Sequence, residues 1–185
     1  MSEKKANFKK IIDLSIPDIL SKINSISSYK WEDLSNEEID LGNYNSVCSY
    51  FEVKDSDYPM NFALFFNKGD VIELTKSFIG YNFFVSGKIS KSEELLIQEL
   101  SNIILNSIVS QISNLAKKVI IPSGPKIIES EKEFIFDVIS RQLTDNSNRE
   151  IFHYIFKIKC REKNIYCEVI SFISERAMNK LKVLL

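Results

Sequence analysis

A chain of 185 residues, 44% hydrophobic and 26% charged, can bury a substantial core without disulfides or metals, and it falls in the globular class rather than the disordered or membrane class. Lys plus Arg number 24 against 25 Asp plus Glu, a net charge of −1, so no global field points to nucleic acid or to an anionic membrane. The odd set Cys48, Cys160 and Cys167 lies in apolar, strand-like sequence and predicts buried reduced thiols, not a disulfide framework. With no Cys-x-x-Cys and a single histidine, His153, a zinc site is not expected.

Residues 1–14 carry Lys4, Lys5, Lys9 and Lys10 and read as a solvated tail, without the apolar run of a signal peptide. Ser15, Pro17 and Asp18 then resemble an N-cap with proline and a carboxylate in the first turn. A short helix to about Ser27 follows from the helical spacing of Ile16, Ile19, Leu20, Ile23 and Ile26. The polar stretch through Trp31, Glu37, Glu38 and Asn43 reads as a loop anchored by Trp31.

Aromatic and β-branched residues predict strands at 46–53 and 61–66, joined by a turn at 55–59. Asn67 to Asp70 start a short helix with Val71, Leu74 and Phe78 on its apolar side, and Gly80 supplies a left-handed cap. After a linker at 81–90, a long helix runs from near Ser92 to about Lys118, with Leu96, Leu100, Ile103, Ile104, Ile108, Ile112 and Leu115 toward the core. Ser92, Glu99, Asn102, Asn106, Ser110 and Ser113 form the opposite, polar stripe. These polar residues also interrupt 95–112 as a spanning segment, so a cytoplasmic protein is expected. Pro122, Gly124 and Pro125 end the element.

Residues 131–143 satisfy helical and strand patterns alike. A turn at 145–149, a hairpin of strands at 151–160 and 165–173, and a last short helix capped by Ser174 complete the chain. The order at 61–78 recurs at 165–184, each an apolar strand running into a capped helix. The expected fold is therefore α+β, a single domain of two weakly repeated halves, 15–80 and 81–185, with helices packed on one antiparallel sheet.

The chemistry-bearing pair is Glu99 and Asn102, a carboxylate and a carboxamide at i and i+3 on one helix face. Glu99, two residues, Asn102 and then Pro125 after twenty-two intervening residues resemble the signature of the CheC/CheX/FliY family of chemotaxis phosphatases. The resemblance covers about residues 60–185. It implies hydrolysis of the aspartyl-phosphate on a CheY-type response-regulator receiver domain, with Mg²⁺ in the partner and no cofactor in this chain. Asn102 would orient the attacking water and Glu99 would pair with a cation of the receiver. It also implies a homodimer. Two positions depart from the pattern: Leu95 stands where the family usually has Asp or Ser, and Asn106 where many members have Gly. In the first half, Ser21 and Asn24 keep the spacing without the carboxylate, as in one-site members.

The rival expectation is a non-catalytic module that docks a receiver or another signalling protein through the same face, favoured by the apolar Leu95. A solvated stripe on a structural adaptor is the plainest alternative. Asp55 and Asp57 read as turn chemistry, His153 as a half-buried strand histidine, and Phe62, Phe65, Phe66, Phe83 and Phe84 as core.

Overall fold

The structure, a computed structural model, describes residues 3–35, 37, 40–80, 88–147 and 151–184. Phe83, Phe84, Glu38 and most of the linker expected from Tyr81 lie outside these residues.

Helix α1 (Glu3–Ile26) leads to β1 (Trp31–Asp33), β2 (Asn45–Val53), β3 (Met60–Asn67) and α2 (Val71–Ile79). Helix α3 (Lys91–Ala116) opens the second series, followed by β4 (Lys126–Glu131), α4 (Lys132–Ser147), β5 (Ile151–Cys160), β6 (Ile165–Ser174) and α5 (Glu175–Leu184). The sheet has the order β1-β5-β6-β3-β2-β4, with every pairing antiparallel. Exchanging β1, β2 and β3 for β4, β5 and β6 reverses this list onto itself, so the sheet has two-fold pseudosymmetry between β3 and β6. Each series places its short first strand on a sheet edge against the second strand of the other series, β1 on β5 and β4 on β2.

Strand β3 explains why the sheet is covered on both faces. Met60, Phe62, Leu64 and Phe66 point into the main core with α1, α2, α3 and α5, while Ala63 and Phe65 point the other way. There they meet Ile135 and Ile139 of α4, together with Cys48, Ile170 and Phe172. Full burial of a Phe or Leu side chain contributes about 1.5–3 kcal/mol, and the doubly buried β3 is the spine of the fold. The three cysteines are buried free thiols. Burial pushes their acidity down, so Cys48, Cys160 and Cys167 all titrate above the ordinary thiol range.

Three sequence expectations change. From Glu3 onward the expected solvated tail is instead helix: α1 begins there and buries Phe8, Ile11 and Ile12. Ser15 is consequently inside the helix, its hydroxyl donating to the Ile11 carbonyl (2.8 Å), and Pro17 lies within the helix on its exposed side, four residues after exposed Asp13. Trp31 belongs to an edge strand rather than a loop, and the ambiguous 131–143 resolves as the end of β4 followed by α4. Gly80 is the expected left-handed cap (φ 78°), and Ser174 caps α5 through the Ala177 amide (3.2 Å).

Candidate functional site

Helix α3 is fixed at its start by a reciprocal capping box, two residues earlier than the sequence suggested. The Ser90 hydroxyl accepts from the Glu93 amide (3.2 Å) and the Glu93 carboxylate accepts from the Ser90 amide (2.5 Å). Its buried arc is wider than one stripe, adding Ile97, Leu105 and Val109 to the expected core side. The cause is that α3 packs against α1 as well as the sheet. Ser107 marks that junction, donating to the Asp18 carboxylate (2.6 Å) and accepting from the Lys22 ammonium (3.2 Å).

What remains to solvent is a narrow strip containing Leu95, Glu99, Asn102, Asn106 and Ser110. Glu99 is exposed and Asn102 half-buried, on adjacent turns with Cβ atoms about 5–6 Å apart. Among the described residues, neither side chain has a hydrogen-bond or ion-pair partner. A carboxylate and a neutral donor–acceptor therefore project together from a helix held at both ends, free to engage a cation and a water molecule. Leu95 lies one turn before Glu99 and is 53% exposed.

Pro125 also acquires a structural meaning. It immediately precedes edge strand β4, where a residue without an amide proton breaks no ladder. The spacing from Asn102 thus measures the remainder of α3 plus the connection to β4. Asn102 lies 24 residues before that strand. The expected first-half pair, Ser21 and Asn24, lies in the last turns of α1. Asn24 instead serves the fold, since its carboxamide accepts from the Trp31 amide (2.7 Å) and donates to the Trp31 carbonyl (3.1 Å), tying the end of α1 to β1.

The helix ends at Lys117, a non-glycine residue in left-handed conformation (φ 49°). Beyond it, Val119, Ile120 and Ile121 alternate out, in and out, with exposures of 80%, 6% and 77%. Asn106, Ser110, Ser113, Lys117 and Val119 line a cleft of about 540 Å³ that continues the Glu99 and Asn102 strip. In the sequence this segment reads only as a helix stop; the apolar run of Val119, Ile120 and Ile121 is the signal that marks an anchored, half-exposed wall.

Other residues singled out in the sequence are structural. The Asp55 carboxylate accepts from the Asp57 (2.8 Å) and Tyr58 (3.1 Å) amides, as expected of a turn, and also holds Lys118 (2.8 Å). That ammonium keeps the Asp55 carboxyl below the usual carboxylate range. Asp57 meets Lys180 (2.9 Å) and Arg176 (3.2 Å), fastening the turn to α5. His153 packs edge-on between Phe136 (5.1 Å) and Phe172 (5.0 Å).

No family model and no curated protein matches the sequence. The fold does have solved likenesses. FliY of Thermotoga maritima is 16% identical, with a TM-score of 0.68 over 100% of this chain and 96% of that one. The FliM middle domain of H. pylori is 11% identical, with a TM-score of 0.63 over 100% of this chain and 99% of that one. CheX of Borrelia burgdorferi, solved as a CheX–CheY–BeF₃–Mg²⁺ complex, is 13% identical, with a TM-score of 0.55 over 91% of this chain and 98% of that one.

Proposed function

We propose that this chain, which has the fold of the CheC, CheX and FliY proteins, accelerates hydrolysis of the aspartyl-phosphate on a CheY-type receiver domain. The observation that carries the reading is the placement of Glu99 and Asn102 side by side on the solvent strip of α3, without partners among the described residues. A receiver docked on this strip receives both groups at its phosphorylation site.

An acyl phosphate is labile, and the reading assigns the charge-neutralising Mg²⁺ to the receiver. The work left to this chain is positioning. The Asn102 carboxamide oxygen accepts from the attacking water while its N–H₂ donates to a phosphoryl oxygen, holding the water in line with phosphorus. Glu99, long and exposed, pairs with a receiver cation and fixes the insertion depth of the helix. The capping box, the Ser107 junction and the buried arc keep α3 rigid, so little orientation has to be established on docking. A cytoplasmic location follows from a receiver substrate, and two copies of the chain acting as a homodimer accord with the reading.

The second reading is a receiver-binding module without turnover. Exposed Leu95, one turn from Glu99, favours it because an aliphatic side chain there adds contact area and no chemistry. The experiment is phosphate release from phosphorylated receiver domains by the parent and by Asn102→Ala. Stimulated release that is lost in the variant supports hydrolysis; binding with no stimulation by the parent supports the docking module. Equal turnover by parent and variant would remove Asn102 from the mechanism.

A further inference from the structure

The cleft at the end of α3 shares the strip that carries Glu99 and Asn102, yet hydrolysis requires nothing from it. From Asn102 to Ser113 the helix rises about 16 Å, and from Glu99 to Lys117 about 27 Å. A receiver-sized domain of about 120 residues is roughly 35 Å across, and a standard interface covers about 800 Å² on each partner. A domain seated on Glu99 and Asn102 therefore reaches the cleft.

The cleft wall is also built in advance. Ile120 is anchored in the core and its amide donates to the Ser113 hydroxyl (3.3 Å). Three residues on, the Ser123 amide donates to the Glu52 carbonyl (2.8 Å) and the Ser123 hydroxyl accepts from the Glu52 amide (2.9 Å). Fastened on both sides, Val119 stays exposed at 80%. At the rim, Lys118 is engaged by Asp55 and Asp57, whereas Lys117 is exposed and has no carboxylate partner among the described residues. Along α3 the strip therefore runs from anionic Glu99 through neutral amides and hydroxyls to apolar Val119 and cationic Lys117.

Building on the receiver reading, we infer that the cleft is a second contact for the same receiver domain, taking an apolar side chain flanked by a carboxylate. The phosphorylation site engages Glu99 and Asn102, common to any receiver; Val119 and Lys117 distinguish one receiver from another. Ion pairing at the exposed Lys117 rim acts on encounter and register, and Val119 supplies apolar contact.

The test measures binding of a CheY-type receiver loaded with BeF₃⁻ and Mg²⁺ to the parent, Asn102→Ala, Val119→Asp and Lys117→Glu, with phosphate-release kinetics alongside. Val119→Asp is expected to weaken binding at least about tenfold and raise KM with kcat retained. Lys117→Glu is expected to weaken it about threefold at low salt and less at high salt. Both positions are exposed, so unchanged melting temperatures verify the fold. If the parent binds and both variants bind equally well, the cleft inference is overturned and the catalytic reading stands. Weakened binding by Val119→Asp together with full turnover by Asn102→Ala supports the cleft and overturns the water-positioning role. A parent that binds no loaded receiver overturns both.

Discussion

Helices α1 and α3 occupy equivalent places in the two series, yet they treat their polar residues in opposite ways. In α1 the Asn24 carboxamide clamps both backbone groups of Trp31, Ser15 bonds back to Ile11, and Asp18 reaches Lys22 and Ser107. In α3 the strip from Leu95 to Ser110 contains a carboxylate and carboxamides without partners among the described residues. An asparagine whose donor and acceptor are satisfied inside the fold contributes stability; one whose groups face solvent has them available for a visiting molecule. The contrast separates a structural asparagine from a candidate functional one more sharply than spacing does.

The largest expected effect is at the open end of this comparison. Asn102→Ala should lower stimulated phosphate release about a hundredfold, with stability within about 0.5 kcal/mol of the parent in urea unfolding. Asn24→Ala should do the reverse, reducing unfolding free energy by about 2 kcal/mol through the loss of two backbone contacts while leaving receiver binding intact. A variant at either position that moves both readouts would break the division of labour. Ser107→Ala removes the hydroxyl joining the two helices and should cost about 1 kcal/mol in the same unfolding measurement.

The smallest effect is electrostatic. Hydrogen bonds from Lys22 and then Ser107 depress the Asp18 acidity constant below the ordinary carboxylate value. A depressed folded-state pKa means stabilisation that is present above the unfolded value of about 3.9 and lost as pH falls through the lower folded value. Asp18 is 46% exposed, so solvent screening leaves only about a few tenths of a kcal/mol. Unfolding curves of the parent and Asp18→Asn should differ by that amount at about pH 7 and converge as pH drops below about 4.

How much was legible followed local physics. Strands β2, β3, β5 and β6 are dense in aromatic and β-branched residues, and their pattern places them within a residue or two. Edge strands β1 and β4 were not legible. The former is three residues long, and Lys126–Glu131 has too few apolar residues because its partner lies on one side only. Pro17 beside Ser15 imitates a helix start, and only the burial of Phe8, Ile11 and Ile12 shows that α1 begins earlier. Glu99 and Asn102 could be paired from their spacing, but their exposure depends on how α1 and the sheet share the remaining surface of α3.

The long-range pairing of the first series sets a schedule for synthesis. Trp31 pairs with Cys160, so β1 leaves the ribosome 129 residues before its partner. At about 5–20 residues per second that is a wait of roughly 6–26 seconds. β3 likewise waits for β6 to cover its free edge. During that interval the first series presents unsatisfied strand edges and the apolar side of α1, surfaces that the second series covers in the finished fold. Splitting the gene between α2 and α3 should therefore yield two fragments that recover a native sheet only when expressed together.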